Sequence, residues 1–284
     1  MLKGVSICRG GPRVSHLFFA DDSIVFCRAT NAEYVALQNL LTIYAHASGQ
    51  VVNSDKTAIF FSPNTSQQSR NAICSFFGTS PATQFGKYLG LPPVVGRAKQ
   101  RAFNEIKDRV WHRLQGWKEK LLSQAGREVL IKEVIQAIPT YAMSCFKFPA
   151  GFCNDLCSMA NRFWWGQKRG ERKIHWLSKQ KLIRIKSEGG IGFCDLKLFN
   201  KALLARQGWR LLQNPSSLVF RILKAKYFPH TSFLDASIPV NASFIWRSIC
   251  EAKSVLQDGL SWRVGTGEKI KIWGDKWLPN NSMY

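Results

Sequence analysis

The chain has 284 residues, 45% of them hydrophobic, which is enough for a folded core and for more than one domain. Its 40 Lys and Arg against 18 Asp and Glu give a net charge of +22, which predicts a polyanionic partner, most simply nucleic acid. Because the basic residues are spread along the chain and no apolar run approaches the ~18 residues of a membrane span, we expect no membrane partner.

Two short apolar runs around a pair of aspartates predict a β-hairpin near the N-terminus. Residues 14–19 and 23–27 form the runs, and Asp21 and Asp22 lie between them. Asp-Asp is not a favoured turn pair, and neighbouring carboxylates repel each other. A divalent cation such as Mg²⁺, which takes carboxylate and phosphate oxygens, would offset that repulsion. A solvated acidic hairpin tip is the alternative.

The next segment predicts a helix and two further turns. Asn31 is expected to cap a helix that runs to about Ser48 and buries one apolar stripe, made of Tyr34, Leu37, Leu40, Leu41 and Tyr44. Residues 51–61 are expected to form two short strands around a polar turn that carries Lys56. A short helix at 66–77 follows, and then a turn at Tyr88-Leu89-Gly90-Leu91.

A basic helical region begins near residue 97. Its inward stripe is predicted to contain Phe103, Ile106, Val110, Leu114 and Trp117, and its cations include Arg97, Lys99, Arg101, Arg109 and Arg113. Ser123 is expected to cap a second helix that Pro139 ends, and residues 153–165 predict a third. The cations either bind a polyanion or form an ordinary solvated helix face.

The C-terminal third is predicted to be helical and to end in a hairpin. Asp195 and Ser243 are expected to cap two of its helices, and no acidic residue occurs between Leu196 and Leu234. Residues 260–264 and 269–273 alternate in hydropathy around a glycine-rich loop, which predicts a β-hairpin. The eight cysteines contain no Cys-x-x-Cys pair, so we expect free thiols in place of a zinc site or disulfides.

The sequence Phe19-Ala20-Asp21-Asp22 between two apolar strands resembles the catalytic palm hairpin of reverse transcriptases, in the form seen in plant non-LTR (LINE-type) retrotransposons. Later segments follow in that family's order. The resemblance implies RNA-directed DNA synthesis on an RNA template from a DNA primer, with deoxynucleoside triphosphates and Mg²⁺. It also implies that the parent element works in the nucleus.

The same resemblance implies roles for individual residues. Asp21 and Asp22 match the catalytic metal ligands, and Lys56 matches a lysine that protonates the departing pyrophosphate. Tyr88, Leu89 and Gly90 match the primer grip. The basic region with Arg97, Lys99, Arg101, Arg109 and Arg113 matches the thumb, which grips the phosphates of the duplex.

We therefore expect an α+β, mostly helical fold with three parts. They are a truncated antiparallel palm at 1–95, a thumb-like helical bundle at 96–165, and a helical connection with a C-terminal hairpin at 166–284. Reverse transcriptases also use an upstream palm aspartate and fingers, which do not precede residue 1, so we expect the chain alone to be inactive as a polymerase. The alternatives are a non-catalytic, basic nucleic-acid-binding remnant and a decaying fragment that does nothing.

Overall fold

The computed structural model describes residues 2–82, 86–92, 95–96, 99–118, 122–166, 173–268, 270 and 276–277. Within them the strands are β1 Val5–Ser6, β2 Arg13–Val14, β3 His16–Phe19 and β4 Asp22–Val25. The helices are α1 Asn31–Ser48, α2 Gln67–Phe77, α3 Lys99–Ala102, α4 Asn104–Lys118, α5 Gln124–Leu130, α6 Thr140–Cys145, α7 Ala150–Trp164, α8 Lys179–Ile183, α9 Leu196–Gln213, α10 Leu218–Tyr227, α11 Phe244–Glu251 and α12 Lys253–Gly259. The predicted α+β, mostly helical class is confirmed.

The chain packs as two compact units. Unit 1 contains Met1–Pro93 together with Ser216–Pro229, and unit 2 contains Val94–Pro215 together with His230–Tyr284. The functional division into palm, thumb and connection stays a prediction. No helix in the described part of the chain has the length and hydropathy that crossing a membrane requires.

The described residues of unit 1 form two antiparallel hairpins and three α-helices. β1 pairs with β2, and β3 pairs with β4. The predicted end of α1 at Ser48 is confirmed, and Gly49 follows it with a φ of 71°. The predicted cap is wrong, because Thr30 occupies the N-cap position, with extended backbone and no side-chain capping bond.

Two other predictions for unit 1 are wrong. Residues 51–61 form no strands; they contain a 3₁₀ turn at Ser54–Lys56, because Asn53 accepts the backbone N–H of Lys56 at 3.1 Å and closes the chain locally. The apolar stripe of α1 is not buried: Leu40 and Tyr44 are 51% and 52% exposed. The described hairpins have only two strands each, and so small a sheet covers little of an 18-residue helix.

Unit 2 is built on well-capped helices around an apolar core. Ser123, Asp195 and Ser243 accept backbone N–H groups at the starts of α5, α9 and α11, which confirms all three predicted caps. The stripe of α4 is also confirmed, with Val110 and Leu114 buried. Phe103 is fully buried, and its ring centroid lies 4.6 Å from that of Phe148 and 5.9 Å from that of Phe152.

The second predicted helix of unit 2 is interrupted before Pro139. After α5, residues Ile131–Ile135 form a turn of π-helix, in which the N–H of Gln136 donates to the carbonyl of Ile131 at 3.0 Å. Ile131 and Ile135, at the two ends of this turn, are both buried. Pro139, itself buried, then sits at the start of α6.

The predicted C-terminal hairpin falls largely outside the described residues. Residues 260–264 are described and form no regular strand. The backbone N–H of Trp262 donates to the carbonyl of Lys276 at 2.6 Å, so these two parts of the chain do pair at one point.

Candidate nucleic-acid interface

The aspartate pair lies at the tip of the β3–β4 hairpin. Phe19 pairs with Asp22 across the hairpin, so Ala20 and Asp21 form a two-residue turn and Asp22 begins β4. The hairpin prediction is confirmed, with the turn one residue earlier than the aspartate pair indicates. Ala20 has a φ of 50°, a positive value usually taken by glycine at the first position of a type II′ turn.

The strand that leads to the tip is apolar and solvent-exposed. Phe18 and Phe19 are 67% and 58% exposed, and the ring of Phe18 stacks on His16 with 4.7 Å between centroids. Successive residues of a strand point to opposite faces. Both faces of the hairpin are therefore open at its tip within unit 1, and the two exposed carboxylates are flanked by aromatic rings.

The two carboxylates do not make a two-metal centre by themselves. In the described part of the chain, no group of three or more His, Cys, Asp or Glu side chains is arranged to hold a metal ion. Nucleotidyl transfer uses two metal ions about 4 Å apart. Holding both ions takes bridging and flanking ligands in addition to two adjacent carboxylates. Asp21 and Asp22 fit at most one loosely held hard cation that keeps most of its water.

Lys56 lies at the end of the 3₁₀ turn with its side chain exposed. The hydroxyl of Thr57 donates to the carbonyl of Asn53 at 2.7 Å and tightens the same turn. Among the described residues, no hydrogen bond or ion pair joins Lys56 to Asp21 or Asp22. The catalytic role implied for Lys56 stays a prediction.

Tyr88, Leu89 and Gly90 form a tight turn. Tyr88 and Leu91 exchange two backbone hydrogen bonds of 3.1 and 3.0 Å, and Leu89 and Gly90 between them have φ values of 51° and 73°. Positive φ at both central residues is the pattern of a type I′ turn. Leucine rarely adopts this conformation, so the turn holds Leu89 in a strained backbone state.

The predicted basic residues in and around α3 and α4 differ in whether they contact other side chains. Arg97 lies outside the described residues. Lys99 is engaged within unit 2, since its Nζ lies 4.7 Å from the centroid of the Phe244 ring. Arg101, Arg109 and Arg113 are exposed, and none of them makes an ion pair within the described part of the chain. Arg109 and Arg113 are one helical turn apart, so they share one face of α4.

Sequence reasoning missed a charged cluster that ties α5 to a distant turn. Glu128 accepts from Lys132 at 2.8 Å and from Lys186 at 2.7 Å, and Lys132 also donates to the carbonyl of Ile191 at 2.7 Å. The hydrogen bonds from Lys132 and Lys186 lower the pKa of Glu128. The i, i+4 spacing of Glu128 and Lys132 indicates their pairing; nothing in the sequence indicates the link to residues 186–191.

Sequence reasoning also missed the role of Asn200, a buried polar residue in the middle of α9. Its Nδ2 donates to the carbonyls of Met143 and Phe146 at 2.7 and 2.9 Å, and its Oδ1 accepts the N–H of Phe148 at 2.8 Å. These bonds fix the end of α6 against α9. The signal in the sequence was an asparagine on the apolar side of an otherwise regular helix.

The cysteine thiols form no disulfide in the part of the chain that the structure describes. All eight cysteines are unpaired, and Cys74, Cys153 and Cys250 are buried. Burial raises the pKa of Cys153 and of Cys250 to about 11. These two side chains are therefore protonated at neutral pH and act as packing groups.

Comparison with known proteins gives two relatives in Arabidopsis thaliana, and no family model matches the chain. Putative ribonuclease H protein At1g65750 is 36% identical over 198 residues, which are 68% of this chain and 32% of that protein. The chain thus spans about a third of that relative. Uncharacterized mitochondrial protein AtMg00310 is 42% identical over 147 residues, which are 51% of this chain and 96% of that protein. Because the match covers nearly the whole of this second relative at such identity, the chain belongs to the family of that mitochondrial protein.

Proposed function

We propose that the chain is part of a plant LINE-type reverse transcriptase, with residues 1–95 derived from the palm and residues 96–165, which include α3 and α4, from the thumb. The parent enzyme would synthesise DNA on an RNA template from a nucleic-acid primer. Residues 1–284 alone would bind nucleic acid without extending a primer. The ribonuclease H named in one relative is not proposed for this chain, which spans 32% of that relative.

The observation that carries this proposal is the hairpin tip. Asp21 occupies the turn and Asp22 the first position of β4, so a two-residue reversal presents both carboxylates to solvent on a short antiparallel pair. Carboxylates in this arrangement suit a hard cation beside a phosphate. The net charge of +22 supports a nucleic-acid partner for the same chain.

Primer extension tests the expected lack of polymerase activity. Residues 1–284 would be incubated with an RNA template, an annealed DNA primer, deoxynucleoside triphosphates and Mg²⁺, beside Asp21→Asn and the exposed control Asp55→Asn. We expect no extension by any of the three, because two neighbouring carboxylates do not hold two metal ions. Extension by wild type and by Asp55→Asn, but not by Asp21→Asn, would contradict this expectation.

Cation binding at the hairpin tip needs a measurement that is independent of activity. Paramagnetic Mn²⁺ added at low occupancy should broaden the backbone amide signals of Asp21 and Asp22 more than that of Asp55, a single exposed carboxylate. Asp22→Asn should abolish the difference. Equal broadening at Asp21, Asp22 and Asp55 would show that the hairpin tip binds no cation selectively and is a solvated acidic turn.

Duplex binding tests the thumb-like role of α4. In Arg109→Gln/Arg113→Gln, the logarithm of the affinity for a primer–template duplex should fall less steeply with the logarithm of salt, by about 1.8 for two lost phosphate contacts. The matched control is Lys197→Gln/Lys201→Gln, which removes two exposed cations at the same spacing from α9. An equal change in both variants would assign the effect to net charge and reject α4 as the contact surface.

The second candidate function is non-catalytic binding of nucleic acid. It is favoured by the exposed arginines of α3 and α4, which make no ion pair in the described structure. It is also favoured because no third possible ligand among the described residues joins Asp21 and Asp22 in a group that could hold a metal ion. The Mn²⁺ measurement separates the two candidates. Binding of duplex without selective broadening at Asp21 and Asp22 supports the second candidate.

A further inference from the structure

A groove of about 510 Å³ lies between α6 and α9, and none of the predicted basic residues of α3 and α4 lines it. Both of its walls belong to unit 2. Its polar lining consists of Thr140, Tyr141 and Ser144 from α6 and of Arg206, Gln207 and Arg210 from α9. None of these residues carries a role implied by the sequence motifs.

The α9 wall of the groove is positively charged, and no carboxylate among the described residues neutralises it. Arg206 and Arg210 are exposed and one helical turn apart, so their guanidinium groups leave the same side of α9. Neither makes an ion pair with a carboxylate in the described ranges of the chain. No acidic residue occurs between Leu196 and Leu234, so α9 itself offers no carboxylate to these arginines.

The opposite wall presents hydrogen-bond acceptors. The hydroxyl of Thr140 donates to the carbonyl of Gln136 at 3.0 Å, and that of Ser144 donates to the carbonyl of Tyr141 at 2.7 Å. Since each hydroxyl has one proton, both oxygens act as acceptors. The Ser144 oxygen lies 3.8 Å from the Cys145 thiol and keeps one lone pair for a ligand, whereas the Thr140 oxygen keeps two. Tyr141 adds a ring that is 49% exposed. A ligand that fills the groove therefore needs anionic groups on one side and donor groups or a flat ring on the other.

The two walls are held at a fixed separation. Asn200 on α9 donates to the carbonyls of Met143 on α6 and of Phe146 just after it, at 2.7 and 2.9 Å. These bonds are buried, where their loss would leave polar groups unsatisfied. The groove is thus pre-formed, and a ligand need not order its walls.

We propose that the α6–α9 groove binds a single strand of nucleic acid, with Arg206 and Arg210 on successive phosphates and Tyr141 beside a base. The proposal deepens the proposed function, because it assigns to the same chain a strand-binding site separate from the duplex surface of α4. Phosphates satisfy the arginines, while base or sugar donors satisfy Thr140 and Ser144. A simple anion satisfies only the first wall, and a duplex has its bases stacked out of reach of Tyr141.

Fluorescence anisotropy with a labelled single-stranded oligonucleotide of about ten residues tests the proposal on the full chain. Arg206→Gln/Arg210→Gln should weaken binding about tenfold at 0.1 M salt and make the log–log salt slope shallower by about 1.4. The control Lys197→Gln/Lys201→Gln removes the same charge from another face of α9, and it should change affinity by less than about twofold. Circular dichroism melting of all variants checks that α9 is intact.

Three outcomes would overturn the groove assignment. They are equal weakening in both double variants, unchanged binding in Arg206→Gln/Arg210→Gln, and displacement of the oligonucleotide by polyglutamate or a free nucleoside triphosphate at equal charge concentration. Failure of the proposed function would give a different result. The chain would then bind no primer–template duplex, or Mn²⁺ would broaden the Asp21 signal no more than the Asp55 signal, while single-strand binding would remain. Tyr141→Ala should weaken binding about fivefold or more, as expected for one stacked base.

Discussion

Helices α1 and α9 are both 18 residues long, yet they differ in what surrounds them. α9 buries six residues, among them Leu204, Gly208 and Leu211, and contacts α6, α7, α11 and α12. α1 buries only Glu33, and its apolar side chains Leu40, Ile43 and Tyr44 are largely exposed. Helix formation and core formation are therefore separate, since two helices of equal length differ in how much of their surface other helices cover.

The same contrast holds between the two units. Unit 2 contains most of the buried apolar residues of the described chain, whereas unit 1 exposes Phe18, Phe19, Val51 and Phe60. Burial of apolar area is the main favourable term in folding, at roughly 25 cal/mol per Å². Unit 2 should therefore be the stable part of the molecule, and unit 1 the part that opens first.

Amide hydrogen exchange should give the largest measurable difference. We expect protection factors in the central turns of α9 to exceed those of α1 by at least about hundredfold, because α9 opens only when the core of unit 2 opens. Mass spectrometry of exchanged peptides from residues 34–45 and 199–210 gives the comparison directly. Similar protection in the two peptides would contradict the division into a stable and a weakly packed unit.

Removal of an aromatic ring should lower stability far more in unit 2 than in unit 1. Phe103→Ala should lower the free energy of unfolding of unit 2 by about 3–5 kcal/mol, because Phe103 is fully buried among other phenylalanines. Phe18→Ala, at an exposed strand position, should change stability by less than about 0.5 kcal/mol. Urea denaturation followed by tryptophan fluorescence measures both, and a large loss in Phe18→Ala would mean that its ring is covered in solution.

The buried asparagine of α9 gives a smaller but more specific effect. Asn200→Ala should cost about 3 kcal/mol, since it leaves the carbonyl of Met143 and the N–H of Phe148 without their partner in a buried site. Asn154→Ala, on the exposed side of α7, is the matched control. If both variants unfold at the same denaturant concentration, the Asn200 bonds do not hold α6 against α9.

The smallest expected effect is the contribution of the Glu128 cluster to the pH dependence of stability. Since the pKa of Glu128 is lowered in the folded state, its ion pairs stabilise unit 2 fully above the ordinary carboxyl pKa of 4.5, and the stabilisation is lost as pH falls through the lowered value. Glu128→Gln should therefore lose less stability between pH 6 and pH 3 than wild type.

The control for this cluster is Glu133→Gln, an exposed acid on the neighbouring π turn. It should keep the wild-type pH dependence of the urea midpoint. A Glu128→Gln profile that overlays wild type would show that Lys132 and Lys186 do not stabilise the charged carboxylate.

Local structure was predictable because local signals determine it. The end of α1, the caps Ser123, Asp195 and Ser243, and the β3–β4 hairpin all depend on residues within one or two turns of each other. The aspartate pair was found for the same reason, since it stands between two apolar runs. The errors at Asn31 and at 51–61 are also local, where one capping residue or one asparagine side chain changed the outcome.

The amino-acid sequence was sufficient to predict most of the helices, three of their caps, the acidic hairpin tip and the excess of positive charge, because hydrogen bonds between near neighbours and simple composition set these features. Only the tertiary structure decided which apolar stripes are covered, that Asn200 joins α6 to α9, that Glu128 meets Lys186, and that Arg206 and Arg210 face a groove. The physical reason is that burial and pairing depend on partners far away in the chain, and periodicity shows that a helix has an apolar face without showing what will cover it.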